Sequence, residues 1–123
     1  MTQLDLDFTS LTFHDNYVVG CTYEGVTIDM SKHTHVLSVI KQHLDGEFGI
    51  ILDEKYPYDV EFPVMMEIAK ETQFIVGAIV THRPTTRGIF NLFTPFFKKP
   101  VRFFSSLDEA KTWMEKYLSE YKS

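Results

Sequence analysis

The stretch TQFIVGAIVTH, residues 72–82, is apolar at successive positions and rich in β-branched side chains. A strand covered on both faces needs that composition, and such strands sit centrally in sheets flanked by helices on both sides. Directly after it comes RPTTRG, residues 83–88, which is polar with a proline second, as a strand end leading into a helix would be. The chain therefore turns on a buried strand with a strand-to-helix junction at its carboxyl end.

Working towards the amino terminus, VEFPVMMEIAKE, residues 60–71, reads as a short helix. Pro63 falls in its first turn and Val64, Met65 and Ile68 on its inner face, while Phe62 and Met66 point elsewhere. Before it, the loop KYPYD follows EFGIILDE, a short apolar run that suits a second covered strand. DMSKHTHVLSVIKQHLDG, residues 29–46, spaces Met30, His33, Val36, Leu37, Ile40 and Leu44 as one helical face, with Asp29 as N-cap and Gly46 beyond the end. At the start, LDLDFTSLTF alternates, with Leu4, Leu6 and Phe8 on one face of a strand. Past the Asp15-Asn16 turn, YVVGCTYEG is its hairpin partner.

Towards the carboxyl terminus, PTTRGIFNLFTPFF, residues 84–97, predicts a helix that kinks or restarts at Pro95. KPVRFF predicts a strand. SSLDEAKTWMEKYLSEYKS predicts a last helix, with Ser106 and Glu109 as a capping box and Leu107, Ala110, Trp113 or Met114, Tyr117 and Tyr121 along one side. The order is ββαβαβαβα. Such alternation implies right-handed crossovers and a mixed, mostly parallel α/β sheet with an antiparallel hairpin at its beginning. Residues 1–123 are expected to form one domain.

Net charge is −5, which argues against affinity for nucleic acid. From His82 to Phe104, however, the charged residues are Arg83, Arg87, Lys98, Lys99 and Arg102, with no carboxylate among them, so a local basic patch is expected on an acidic body. The single cysteine, Cys21, excludes an internal disulfide framework and fits a reducing compartment. MTQLDLDFTS is no signal peptide, and no apolar run approaches the roughly 20 residues of a membrane span. A cytoplasmic protein, peripheral at the membrane if it binds there, is the expectation.

The layout, the FIVGAIVTHRPTTRGIFNLF junction and the KKPVRFFSSLDEAKTWMEKYL segment resemble the bacterial SpoIIAA-like proteins of the STAS/SEC14-type fold. The resemblance covers nearly the whole chain. STAS relatives that antagonise anti-sigma factors are switched by phosphorylation of a serine in a turn whose counterpart here is DEKYPYDVEFP, residues 53–63. That stretch has no Ser or Thr, so the resemblance carries no phospho-switch. Other SpoIIAA-like members resemble dimers with an apolar pocket between helices and sheet, which implies a homodimer and a hydrophobic ligand or peripheral membrane contact.

On a helical wheel, Ile89, Leu92, Phe93 and Phe96 should face the core, leaving Phe90 and Phe97 as an apolar strip beside Arg87 and Lys98. Arg83, Thr85, Thr86 and Arg87 stand at a helix N-terminus where an anion could be held, although the P-loop glycine spacing is missing. The alternative role for Thr85 is as the helix cap. His33, His35 and His43 lack the spacing of a metal site, Cys21 lacks a nucleophile's setting, and Asp53 is the carboxylate to inspect. Met65, Met66, Phe62 and the Tyr56-Pro57-Tyr58 loop could form a mobile lid.

The expected function is a non-enzymatic domain with no cofactor or metal, binding an amphipathic ligand or an anionic membrane face through Arg83, Thr85, Thr86, Arg87, Phe90, Phe97, Lys98 and Lys99. The alternatives are a protein-interaction module docking a partner through the same face or the KYPYD loop, and an enzyme on small carboxylic or phosphorylated substrates around Arg83 and Asp53. That last reading requires the two side chains to converge.

Overall fold

The computed structural model describes residues 2–121, and within them no account is given of the side chains of Ile89, Phe93 and Thr94. The first strands are β1 (Thr2–Asp5), β2 (Thr9–Phe13) and β3 (Tyr17–Thr22), followed by the short β4 (Thr27–Ile28) and helix α1 (Met30–His43). Next come β5 (Phe48–Asp53), the short β6 (Asp59–Val60), α2 (Phe62–Lys70) and β7 (Phe74–Val80). The chain ends with α3 (Pro84–Phe93), a 3-10 turn at Thr94–Phe96, β8 (Val101–Phe104) and α4 (Leu107–Tyr121).

The main sheet is six-stranded, in the order β1-β2-β3-β5-β7-β8. The β1–β2 and β2–β3 pairs are antiparallel, and β3–β5, β5–β7 and β7–β8 are parallel. The expected mixed sheet, its antiparallel beginning and its four helices are all present. The start differs in one respect. LDLDFTSLTF is not one strand: Asp7 takes a positive φ of 73°, and the Leu6 amide donates to Thr9 O at 2.9 Å, turning β1 back onto β2. Asp5 Oδ1 accepts from the Asp7 amide at 2.9 Å, a local side-chain bond that helps an aspartate hold this left-handed conformation.

Each face of the sheet buries its own core. On one face Tyr17, Val19, Ile51 and Val76 pack under Ala110, Met114 and Leu118 of α4. Gly49 lies in this layer because a Cβ there would run into the Met114 sulfur. The cap of α4 is as expected, with the Glu109 amide donating to Ser106 Oγ at 3.1 Å. Of the residues assigned to its inner side, Tyr121 is instead exposed, and Leu118 takes the buried place.

On the other face Leu11, Phe13, Val18, Phe48 and Phe74 meet Val39, Ile40 and Leu44 of α1. Here Asp29 caps the helix as expected, its Oδ1 accepting from the Lys32 amide at 2.9 Å. Met30, placed on the inner face by spacing, is exposed, as befits a first residue that overhangs the sheet. α2 contributes buried Val64 and Met65, with Pro63 in its first turn.

Candidate functional site: an apolar cavity closed by the aromatic helix

Between the α1, α2 and α3 helices and the sheet lies a cavity of about 160 Å³. Its floor is the alternate side of the central strands, including Val18, Ile50, Leu52 and Ile79, and its walls include Val36, Leu37, Met65 and Ile68. Phe90, Phe97 and Val101 close it towards β8. This corrects the expected orientation of the aromatic helix. Leu92 and Phe96, assigned to the core, are 73% and 52% exposed, whereas Phe90 and Phe97, assigned to an outer strip, turn inward. The core assignments of Ile89 and Phe93 lie outside the described residues.

The cause is visible at the start of the helix. α3 begins at Pro84, so Arg83 occupies the flanking position and Thr85 lies, exposed, within the first turn rather than capping it. Arg83 Nη2 donates to Glu54 O at 2.8 Å and Tyr56 O at 2.9 Å, Nη1 donates to Lys55 O at 3.4 Å, and Nε donates to Thr86 Oγ1 at 3.4 Å. The guanidinium thereby clamps α3 to the loop after β5 and fixes its rotation. Phe90 then meets Phe103 of β8 edge-on, with ring centroids 6.5 Å apart.

Two of the other expected cations, Arg87 and Lys99, are also engaged. Arg87 lies over the Phe103 ring at 4.9 Å. Lys99 Nζ donates to Glu71 O at 2.6 Å and sits 4.7 Å above Phe74. Lys98 is exposed. Arg83, Arg87 and Lys99 thus serve the fold, and the expected anion-binding row is not assembled as one site.

A polar cluster borders the cavity at the carboxyl ends of β3 and β5. Thr9 Oγ1 donates to Cys21 O at 3.1 Å and shares a 3.2 Å hydrogen bond with Thr22 Oγ1. The Tyr58 hydroxyl donates to Glu54 Oε1 at 2.9 Å. Glu54 is only 6% exposed, and burial, against the opposing pull of the Tyr58 hydrogen bond and the Arg83 charge, raises its carboxyl to about 7. Burial likewise pushes the Tyr58 phenol well above its ordinary value. Residue spacing singled out Asp53 and passed over Glu54. The available signal was Tyr58, four residues on.

Asp53 Oδ2 lies 4.0 Å from Lys55 Nζ, and among the described residues no hydrogen bond or ion pair joins it to Arg83. Tyr56 is exposed, but Tyr58 is a cavity wall, so the KYPYD loop does not offer both tyrosines to a partner. Burial raises the Cys21 thiol's pKa, the opposite of what a reactive cysteine needs. No group of three or more His, Cys, Asp or Glu able to hold a metal occurs among the described residues. Within the same residues no helix is long and apolar enough to cross a membrane.

A sheet of this order, with one helix on one face and a cavity beneath the others, defines an α/β domain of the SpoIIAA-like kind. A solved structure is similar in fold: an uncharacterised protein of the DUF3478 family with a SpoIIAA-like fold, from Shewanella loihica PV-4. It superposes with a TM-score of 0.62 at 10% identity, over 86% of this chain and 91% of that one. The fold is therefore SpoIIAA-like. No protein-family model matches the chain, and no curated protein matches it.

Proposed function

We propose that the protein is a non-enzymatic binding domain that holds a compact amphipathic ligand between its sheet and the α1–α2–α3 layer. The observation that carries this reading is the cavity of about 160 Å³, lined by Phe90 and Phe97 from the segment richest in aromatic residues. Interiors are ordinarily packed with few voids larger than a water molecule, so an apolar space of this size under a helix is a place for a guest. The helix that closes it is held at its start by Arg83, leaving the Pro95 end as the natural point of entry. Native mass spectrometry of the purified protein, followed by solvent extraction, tests the reading. A small molecule bound in equal number to the chain supports it. A protein that takes up no apolar guest on titration overturns it.

A second reading, contact with an anionic membrane face, is favoured by a specific feature. Leu92 and Phe96 are exposed beside the exposed Lys98, an arrangement suited to shallow insertion. The same surface could pair two copies of the chain, and flotation with liposomes separates these outcomes.

A further inference from the structure

We infer that the two edges of the sheet dock on each other between copies of the chain, the acidic β1 edge of one copy adding a parallel strand to the basic β8 edge of the next. These edges lie apart from the cavity, and the inference does not rest on the ligand-binding reading.

Charge is divided across the sheet. Residues 2–31 carry Asp5, Asp7, Asp15, Glu24 and Asp29 and no lysine or arginine, while residues 82–104 carry five cations and no carboxylate. The first segment builds β1, β2 and β3 and the second α3 and β8, so the two signs collect at opposite ends of the order β1-β2-β3-β5-β7-β8. Exposed Asp5 and Asp7 stand at one edge, and exposed Arg87, Lys98 and Arg102 at the other. Among the described residues none of these five is in a salt bridge. Asp5 Oδ1 accepts from the Asp7 amide, and Arg102 lies over the Phe104 and Trp113 rings at 5.5 and 5.7 Å, contacts that leave both charges uncancelled.

Both edges also present backbone donors and acceptors. In β8 the Pro100 and Phe104 carbonyls accept from the Gly77 and Thr81 amides at 2.9 and 3.0 Å. Alternation along the strand then turns the amides and carbonyls of Val101 and Phe103 away from β7. In β1 the Leu6 amide bonds Thr9 O, and the same alternation turns those of Gln3 and Asp5 away from β2. Among the described residues no hydrogen bond takes up these outward groups. An unpaired edge of this kind is a template for another strand.

Direction and register agree. β1 is antiparallel to β2 and β2 to β3, while β3, β5, β7 and β8 are parallel, so β1 and β8 run the same way. A copy shifted sideways sets its β1 against β8 as one more parallel strand, each of them four residues long. With Val101 beside Leu4 of the neighbouring copy, its amide meets the Gln3 carbonyl and its carbonyl the Asp5 amide. Leu4 packs towards α1 and Val101 towards the cavity, on the same face of the sheet. Arg102 and Asp5, one residue further along each strand, then meet on the α4 face. Like edges lack this match, since β8 on β8 opposes cations and β1 on β1 opposes carboxylates. The contact is head-to-tail, so each added copy leaves the same two edges open.

Sedimentation and amide spectra of the 15N-labelled full chain, over concentrations up to about 1 mM, test the proposal. The average mass should rise with concentration past that of a dimer and fall with added salt, and the Asp5, Val101 and Phe103 amides should shift as it rises. Asp5→Lys and Arg102→Glu should each weaken association about tenfold or more, because like charges then face each other. An equal mixture of the two variants should regain it, since one has two basic edges and the other two acidic ones. A chain that stays monomeric, or whose three edge amides stay still as it associates, overturns the proposal. So does a mixture that remains dissociated while each variant keeps the parent's fold. Association that Leu92→Asp abolishes and neither charge reversal weakens overturns it in favour of α3. The amide shifts are read in the unmodified chain, so a variant that folds poorly leaves the decision to them.

Discussion

The Tyr58 hydroxyl donates a 2.9 Å hydrogen bond to Glu54 Oε1, tying a tyrosine of the loop after β5 to a carboxyl that is 6% exposed. The bond joins the cavity wall to the segment that Arg83 clamps, so the protonation of one buried acid bears on the closure of the whole site. The folded-state value of Glu54 is about 7, against an ordinary 4.5. Between those values the folded chain keeps a proton that the unfolded chain has released. This group's contribution to stability is therefore full below pH 4.5 and is lost as pH rises to about 7, by on the order of 3 kcal/mol. Glu54→Gln keeps an acceptor for Tyr58 without the charge. Urea denaturation should find it near parity with the parent at pH 5 and more stable by about 1–3 kcal/mol at pH 8. Equal effects at both values would show that Glu54 is not held protonated.

Arg83 donates to the carbonyls of Glu54 and Tyr56 at 2.8 and 2.9 Å from a single nitrogen. Charge-assisted bonds to backbone carbonyls are worth more than neutral ones. Arg83→Ala should cost about 2–3 kcal/mol and release both the 54–56 loop and the start of α3, seen as faster amide exchange in those segments. Arg83→Lys should recover less than half of the loss, because an ammonium cannot reproduce the planar fork. Full recovery with lysine would mean that charge alone matters at this position.

The fold was legible in the sequence where one period dominates. Residues 72–82 read as a central strand because no face is polar, and α1 was marked by Asp29, Gly46 and a regular apolar face. The rotation of α3 was not legible. Its sequence carries two overlapping apolar stripes, and the choice between them is made by Arg83 binding a loop 27–29 residues away in the chain. The β1–β2 turn was hidden because Leu4, Leu6 and Phe8 keep an alternating pattern through it. Glu54 was missed because its burial comes from the return of Tyr58 and the clamp of Arg83, and the i, i+4 spacing to Tyr58 alone does not show that the loop folds back.

Gly49 faces the α4 layer, where an added Cβ would strike the Met114 sulfur and lie 3.1 Å from Val76 Cγ1. Met114 is fully buried, so its flexible end has little room to retreat. Gly49→Ala should destabilise the chain by about 1–3 kcal/mol through overpacking. Combining it with Met114→Ala should be markedly less than additive, since the second change removes the atom struck. Strict additivity in a double-mutant cycle would place the strain elsewhere.

The membrane reading separates from the cavity reading by residue. Leu92 and Phe96 are 73% and 52% exposed, whereas Phe90 lines the cavity and touches Phe103. Leu92→Asp and Phe96→Asp should each change stability by less than about 0.5 kcal/mol, because surface substitutions away from packed features rarely do more. Phe90→Asp should cost about 3 kcal/mol or more by burying a charge among apolar walls. If the chain docks on membranes, flotation with phosphatidylserine-containing liposomes will be lost in the two exposed variants and weakened by salt, since Lys98 supplies attraction that screening removes. Unchanged flotation in both variants would move the contact off this helix. A parent chain that does not float, yet becomes monomeric when Leu92→Asp is introduced, would assign the exposed pair to self-association.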